Sequence, residues 1–197
     1  IAGPERLREE VAGVSFLIST DAFFQTNVRA AEILVHLVLD AVPVGGRVLD
    51  LYAGAGLFAL PLARRGHDVV AVEENRRAVA DGEVSRRLNR IAEERCRFVA
   101  RPAERALEDV TRRRQDATPF DVVVLDPPRE GCSPAVLDAV FTTLAPPAVV
   151  YVSCNPEALA ADLGTVTRRN YQIRSLQPVD MFPHTAHIET VAVLTRT

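Results

Sequence analysis

Short runs of Val and Leu alternate along the chain with segments in which apolar residues recur every three to four positions. The runs Arg47–Leu51, Asp68–Glu73, Arg97–Ala100, Asp121–Asp126 and Ala148–Ser153 are almost continuously apolar, as expected of strands covered on both faces. Between them, amphipathic stretches predict helices at Leu57–Arg65, Arg76–Ala92, Ala103–Arg113, Pro134–Leu144 and Pro156–Arg169. Ser133-Pro134 and Asn155-Pro156 each place a capping side chain before a proline suited to a first helical turn. Asn27–Leu39 reads as a further helix, Ile1–Thr20 as a lead-in, and Pro43–Gly46 and Gln115–Pro119 as turns or loops.

This alternation predicts an α/β fold with a mostly parallel sheet. The end of the chain breaks the pattern. Tyr171–Leu176 and Ile188–Thr195 are strand-like, but the Pro- and His-containing loop between them is too short for a crossover helix, so the pair is expected to be antiparallel. With 197 residues, one compact domain is expected: residues 41–197 as the catalytic unit, with residues 1–40 as a lead-in and helix packed on it.

Composition narrows the function classes. No apolar run is long enough to span a bilayer and no signal peptide is evident, which points to a cytoplasmic protein with no membrane partner. Cys96, Cys132 and Cys154 are three in number and lack metal-ligand spacing, so neither a disulfide framework nor a metal site is expected. The net charge is −3, and all 23 basic residues are arginine; neither feature marks a strongly basic nucleic-acid surface. The first residue is Ile1, which suggests a piece of a longer protein whose other part carries RNA affinity. A monomer is expected.

Val48-Leu-Asp-Leu-Tyr-Ala-Gly-Ala-Gly56 runs from a strand through a glycine turn towards a helix. Gly54 and Gly56 would let backbone approach a ligand. Glu73, ending the next strand, is placed to accept hydrogen bonds from two ribose hydroxyls. Gly54, Gly56 and Ala59 also satisfy the dinucleotide fingerprint of NAD enzymes. Asp50, several residues before the glycines, favours a methyltransferase, which would use it near the methionine part of its cofactor.

Three further motifs carry chemistry. Asp126-Pro-Pro-Arg-Glu-Gly-Cys132 follows a strand with two residues that have no backbone donor, giving a stiff loop that could hold a flat base. Tyr151-Val-Ser-Cys-Asn-Pro156 sets Cys154 at a strand's carboxyl end before a helix cap, where free N–H groups would favour thiolate. Asp180-Met-Phe-Pro-His-Thr-Ala-His-Ile-Glu189 leads into the antiparallel strand, whose start brings Glu189 to the edge that holds Cys154. His184 and His187 read as loop-bonding residues, Cys96 as packing, and Cys132 as near the site but not the nucleophile.

A thiol, a base and a methyl-donor pocket are what methylation at carbon 5 of uracil requires. Carbon 5 becomes nucleophilic once a thiolate adds to carbon 6, and a base must afterwards remove the carbon 5 proton. A uridine in folded RNA must be rotated out of its stack, and Phe23, Phe24 and Phe182 are available to stack on it.

With Phe23-Phe-Gln-Thr-Asn27, Leu49-Asp-Leu-Tyr-Ala-Gly-Ala-Gly56, Asp126-Pro-Pro-Arg-Glu-Gly131, Ser153-Cys-Asn-Pro156 and Phe182-Pro-His-Thr-Ala-His-Ile-Glu189 in this order, the chain resembles the tRNA/rRNA uracil-5-methyltransferases from about Phe16 onward. The resemblance implies a Rossmann-like class I S-adenosylmethionine-dependent methyltransferase fold with a seven-stranded sheet and an antiparallel last strand. It also implies S-adenosyl-L-methionine as cofactor, tRNA or rRNA as partner, and cofactor or substrate contacts at Gln25, Tyr52, Glu73 and Asp126. Cys154 would be the nucleophile and Glu189 the proton acceptor. Ala53 stands where many members have cysteine, Leu57 where many have a cofactor-binding asparagine, and Pro102 where a polar residue could hold adenine. Members usually also carry an N-terminal oligonucleotide-binding barrel, and some an iron–sulfur cluster; neither is in this sequence. An RNA cytosine-5 methyltransferase, which often has cysteine where Arg129 stands, and a non-catalytic RNA-binding module are the alternatives.

Overall fold

The computed structural model describes residues 6–20, 22–112, 119–185 and 188–197. Seven strands form one sheet: β3 (Arg47–Leu51), β4 (Asp68–Glu73), β5 (Cys96–Ala100), β6 (Val122–Leu125), β7 (Ala148–Ser153), β8 (Tyr171–Val179) and β9 (Glu189–Arg196), in the order β5-β4-β3-β6-β7-β9-β8. The pairs from β5 to β7 are parallel; β9 is antiparallel to both β7 and β8. The predicted parallel core and antiparallel end are both present. Because the order reverses between β3 and β6, a crevice opens at the carboxyl edge there, where open α/β sheets bind ligands.

Alternate residues of each strand feed separate cores. Val48, Ala71, Val124, Val152 and Val191 pack beneath α1 (Val28–Ala41), α2 (Ala59–Arg64) and α3 (Arg76–Leu88). Leu49, Val72, Leu125, Tyr151 and Leu194 pack against α4 (Ala103–Arg112), α5 (Pro134–Asp138) and α6 (Pro156–Val166). This double cover is why the strands read as unbroken Val/Leu runs. Asn27, Asn75, Ser133 and Asn155 cap α1, α3, α5 and α6, each accepting from backbone N–H groups of the first turn.

Several boundaries differ from expectation. The predicted helix at Leu57 begins only at Ala59, because residues 54–58 are spent on turns. Helix α3 stops at Leu88 instead of Ala92, since Arg90 takes a left-handed conformation (φ 56°). The helix after Ser133 changes at Ala139 to a π-helical turn that ends at left-handed Ala145. The loop predicted at Gln115–Pro119 lies, apart from Pro119, outside the described residues.

Within the expected lead-in, β1 (Arg6–Val11) and β2 (Val14–Ser19) form a hairpin closed by Ala12 (φ 50°) and Gly13 (φ 72°). Val11, Val14, Phe16 and Ile18 enter the same core as α1. The free edge of β2 is satisfied by a helix. Ser15, Leu17 and Ser19 donate backbone N–H groups to Asn89 Oδ1 (2.9 Å), Ser85 Oγ (2.9 Å) and Asp81 Oδ2 (2.7 Å). Residues four apart on a helix rise about 6 Å, and residues two apart on a strand about 6.8 Å, so the two periodicities nearly match.

Candidate active site

A cavity of about 590 Å³ opens at the carboxyl edge of β3, β4, β6 and β7. That volume lies within the roughly 300–1,000 Å³ of small-molecule sites. Its walls bring together Gln25, Tyr52, Gly54, Glu73, Asp126, Cys154 and Glu189, seven of the nine residues expected from sequence.

Asp50 and Gly56 do not line it. Asp50 is completely buried on the face that also carries Val48, and its β3 position is in register with Ala71 and Val124. Neither of its carboxylate oxygens has a hydrogen-bond partner among the described residues. Burial, reinforced by the Asp126 carboxylate, holds its carboxyl well above the usual range. Asp50, expected to meet the ligand, is therefore not among the residues that line the cavity. Gly56 (φ 91°) is a glycine for packing, since a Cβ there would come within 2.7 Å of Phe98 Cζ and 3.1 Å of Leu60 Cγ. Gly82 in α3 meets the same ring, so Phe98 is wedged between two glycines. Gly54 (φ 54°) has open space where its Cβ would be and is the glycine that faces the cavity.

The Glu73 carboxylate joins two walls, accepting from Gly54 N (2.9 Å) and Asn75 N (2.7 Å). Tyr52 adopts a left-handed conformation (φ 64°), unusual for a bulky residue and the kind of strain that clusters at functional sites. Its hydroxyl meets the Cys132 side chain, which Tyr151 also bonds. Tyr151 in turn donates to Asp162 Oδ2 at 2.6 Å. The same carboxylate oxygen accepts from Cys132 N (2.9 Å), fixing the end of the proline loop. Asn155 Nδ2 donates to Arg129 O (3.0 Å) and fixes its middle.

Cys154 and Glu189 lie one step beyond the last rung of the β7–β9 ladder, Ser153↔Thr190, so the antiparallel register sets them opposite each other. Glu189 is only 7% exposed yet lines the cavity; burial raises its pKa. Burial, then the Glu189 carboxylate, pushes up Cys154; Asp126 adds to this, and Arg129 opposes it. A backbone N–H at Cys154 pulls the other way, as expected of the strand end before the cap, while Asn155 Oδ1 accepts from Glu157 N (3.1 Å) and Ala158 N (3.4 Å). Cys96 and Cys132, each pushed up to about 12 by burial, are poorer still as nucleophiles. Burial and Glu189 push Asp126 up to about 8.

Phe23 is 79% exposed and lines the cavity mouth, while Phe24 lines it from a position 5.2 Å from the Phe16 ring. Phe182 lies instead in a shallow depression with Asn27 and Met181. Asn27 Nδ2 donates to Met181 O (2.8 Å), tying the Phe23–Asn27 segment to the closing loop. His184 is exposed in that loop; His187 lies outside the described residues. Sequence reasoning missed Arg101, Glu104 and Ser133 in the far wall. Ser133 Oγ donates to Glu104 Oε1 (2.8 Å), and Arg101 pairs with Asp109 (2.7 Å). Only the capping role of Ser133 had a signal.

The family profile described as tRNA (Uracil-5-)-methyltransferase matches residues 5–197. The chain belongs to that family. Among its relatives, proteins named uncharacterized RNA methyltransferase from Thermosynechococcus vestitus and Gloeobacter violaceus are 42% and 40% identical over 99% and 100% of the chain. The chain spans 42% and 41% of their lengths, well under half. The crystal structure of Pyrococcus abyssi tRNA (uracil-54, C5)-methyltransferase in complex with S-adenosyl-L-homocysteine superposes with a TM-score of 0.83 at 33% identity, covering 98% of this chain and 45% of that one. A Streptococcus mutans methyltransferase shares the fold alone, with a TM-score of 0.78 at 12% identity. Among the described residues, this family member has no helix long and apolar enough to cross a membrane, and no cluster of His, Cys, Asp and Glu suited to a metal ion.

Proposed function

We propose that this chain is the catalytic part of an S-adenosylmethionine-dependent RNA methyltransferase that modifies carbon 5 of a uridine in tRNA or rRNA. Residues 41–197 would form the catalytic domain, with the hairpin and α1 packed on it. The observation that carries the reading is that Cys154 and Glu189, one step past the Ser153↔Thr190 rung of the β7–β9 ladder, both line one cavity.

The cavity suits the cofactor. Gly54 leaves room for a ligand against the backbone, and the Glu73 oxygens retain lone pairs for ribose hydroxyls beyond the two N–H groups they already accept. Five acidic side chains (Glu73, Glu74, Glu104, Asp126 and Glu189) line the walls beside the guanidinium of Arg101 among the described residues, a balance that favours a cation. When bound, S-adenosylmethionine would supply an electrophilic methyl group on a positively charged sulfur.

The protein residues do the remaining chemistry. The Pro127-Pro128 loop, fixed at Arg129 and Cys132, holds the uracil plane. Cys154 loses its proton to solvent and its sulfur adds to carbon 6; the carbon 5–carbon 6 double bond gives up its electron pair to an enolate whose carbon 5 is nucleophilic. Once carbon 5 carries the methyl group, Glu189 accepts its remaining proton; the carbon 6–sulfur bond then breaks and restores the ring. A buried carboxylate with a raised pKa is a stronger base for that step than a solvated one.

The test is covalent trapping by the full-length protein on RNA that contains 5-fluorouridine, which has no carbon 5 proton to surrender. Wild-type protein should give a stable protein–RNA adduct and Cys154→Ala none. An adduct that persists in Cys154→Ala rejects the assignment.

A further inference from the structure

The electrostatics of the cavity are one-sided. Asp126 ends β6 and reaches the cavity wall half-buried, with no hydrogen bond to its carboxylate among the described residues. Other acids share its surroundings: Glu189 from β9 acts on it directly, the Cys154 thiol beyond β7 feels both carboxyls, and Asp50, buried within β3 behind the wall, is raised by it in turn. The cations at hand are Arg129, on the same loop and acting on Cys154, and Arg101, already paired with Asp109. Glu189 is more than nine-tenths buried, lines the cavity, and likewise has no hydrogen-bond partner for its carboxylate among the described residues. Two unpartnered carboxyls therefore face one concavity.

Resting on the reading that this cavity takes a sulfonium methyl donor, we propose that it gives up a proton from Asp126 when that cation enters and takes one back when the neutral thioether S-adenosylhomocysteine replaces it. The proton passes to solvent, so charge balances: a neutral carboxyl becomes a carboxylate as a positive sulfur arrives beside it. With Asp126 pushed up to about 8 by burial and the Glu189 carboxylate, it has a proton to release near neutral pH. The linkage has a use. After the methyl group has gone, the carboxylate is left without its counter-charge in a poorly solvated wall, so the spent product loses its hold as Asp126 reprotonates, and fresh donor displaces it.

The decisive measurement is calorimetry of the full-length protein at about pH 7, in buffers of differing ionisation enthalpy, with S-adenosylmethionine and with S-adenosylhomocysteine. The methionine form should release close to one proton and the homocysteine form close to none. Asp126→Asn should still bind the donor but with the release abolished. Should that variant fail to fold, the wild-type preference for donor over product should still rise by about tenfold per pH unit below about pH 8 and flatten above it. Equal release with both ligands, a preference independent of pH, or release that survives in Asp126→Asn but disappears in Glu189→Gln would each overturn the inference. Failure of both ligands to bind would instead sink the donor site itself.

Discussion

Cys154 and Glu189 stand side by side one step past the β7–β9 ladder, whose last rung is Ser153↔Thr190. One element supplies a residue as it leaves the sheet and the other as it enters, which only an antiparallel neighbour allows. The thiol and the carboxyl therefore share one electrostatic environment, and each negative charge makes the other harder to form.

That relationship separates the two roles kinetically. Glu189→Gln should still form the carbon 6 adduct, because Cys154 is intact and a neighbouring negative charge is removed. Turnover should fall by about 10²- to 10⁴-fold, the usual contribution of a general base. Single-turnover kinetics with unmodified RNA would show adduct accumulating before product; normal turnover would remove Glu189 from the mechanism.

The two glycines of the turn should fail differently. Gly56→Ala drives a methyl group into Phe98 in a left-handed backbone, costing about 3 kcal/mol or more from overpacking and conformation together. Gly54→Ala meets no atom and pays only the conformational part, about 1–2 kcal/mol. Denaturant unfolding should therefore single out Gly56→Ala, whereas donor titration of folded protein should single out Gly54→Ala. Similar stability losses in both would refute the distinction.

Asp126 makes stability depend on pH. Its folded pKa is raised, so its contribution is fully present below the ordinary carboxyl range and is lost as pH rises through about 8. The ligand-free protein should lose thermal stability between about pH 4 and pH 8 and level off above, and Asp126→Asn should flatten that loss. Each kcal/mol recovered corresponds to about 2–4 °C in Tm for a chain of this size. Parallel pH curves for the two proteins would contradict the burial argument.

Removing the Asp81 carboxylate should loosen the N-terminal hairpin. It accepts from Ser19 N (2.7 Å), Ser19 Oγ (2.8 Å) and Arg6 Nε (2.9 Å), and it is wholly buried. Asp81→Ala should cost roughly 1–3 kcal/mol by leaving a buried donor unsatisfied. Hydrogen exchange should show the Ser19 and Leu17 amides losing protection ahead of those in β3 and β6. Unchanged protection would show that packing alone holds the hairpin.

The sheet and the landmarks around its carboxyl edge were legible because burial on both faces enforces unbroken Val/Leu strands, and because the chemistry sits where those strands end. Other features left no such trace. A glycine needed for ligand approach and one needed for Phe98 look the same in a sequence, so Gly54 and Gly56 could not be told apart. Asp50 has the spacing of a ligand contact, but β-strand alternation turns it into the core. The cap before α6 was visible at Asn155, yet the burial and the neighbouring Glu189 that raise the Cys154 thiol depend on how β9 packs beside β7. The hairpin was missed because its outer edge is completed by Asp81, Ser85 and Asn89, residues that read as an ordinary polar helix face. Arg101, Glu104 and Ser133 reach the cavity from separate loops with no common spacing.

Strand β9 lies between β7 and β8, although β8 precedes it in the chain. During folding, β8 thus has no place on the growing sheet until its successor arrives, and the two can form locally and then dock on β7 as a unit. Docking is the event that brings an acid beside the thiol. A half-folded chain would hold Cys154 without its partner, so assembly of the reactive pair is coupled to closure of the sheet.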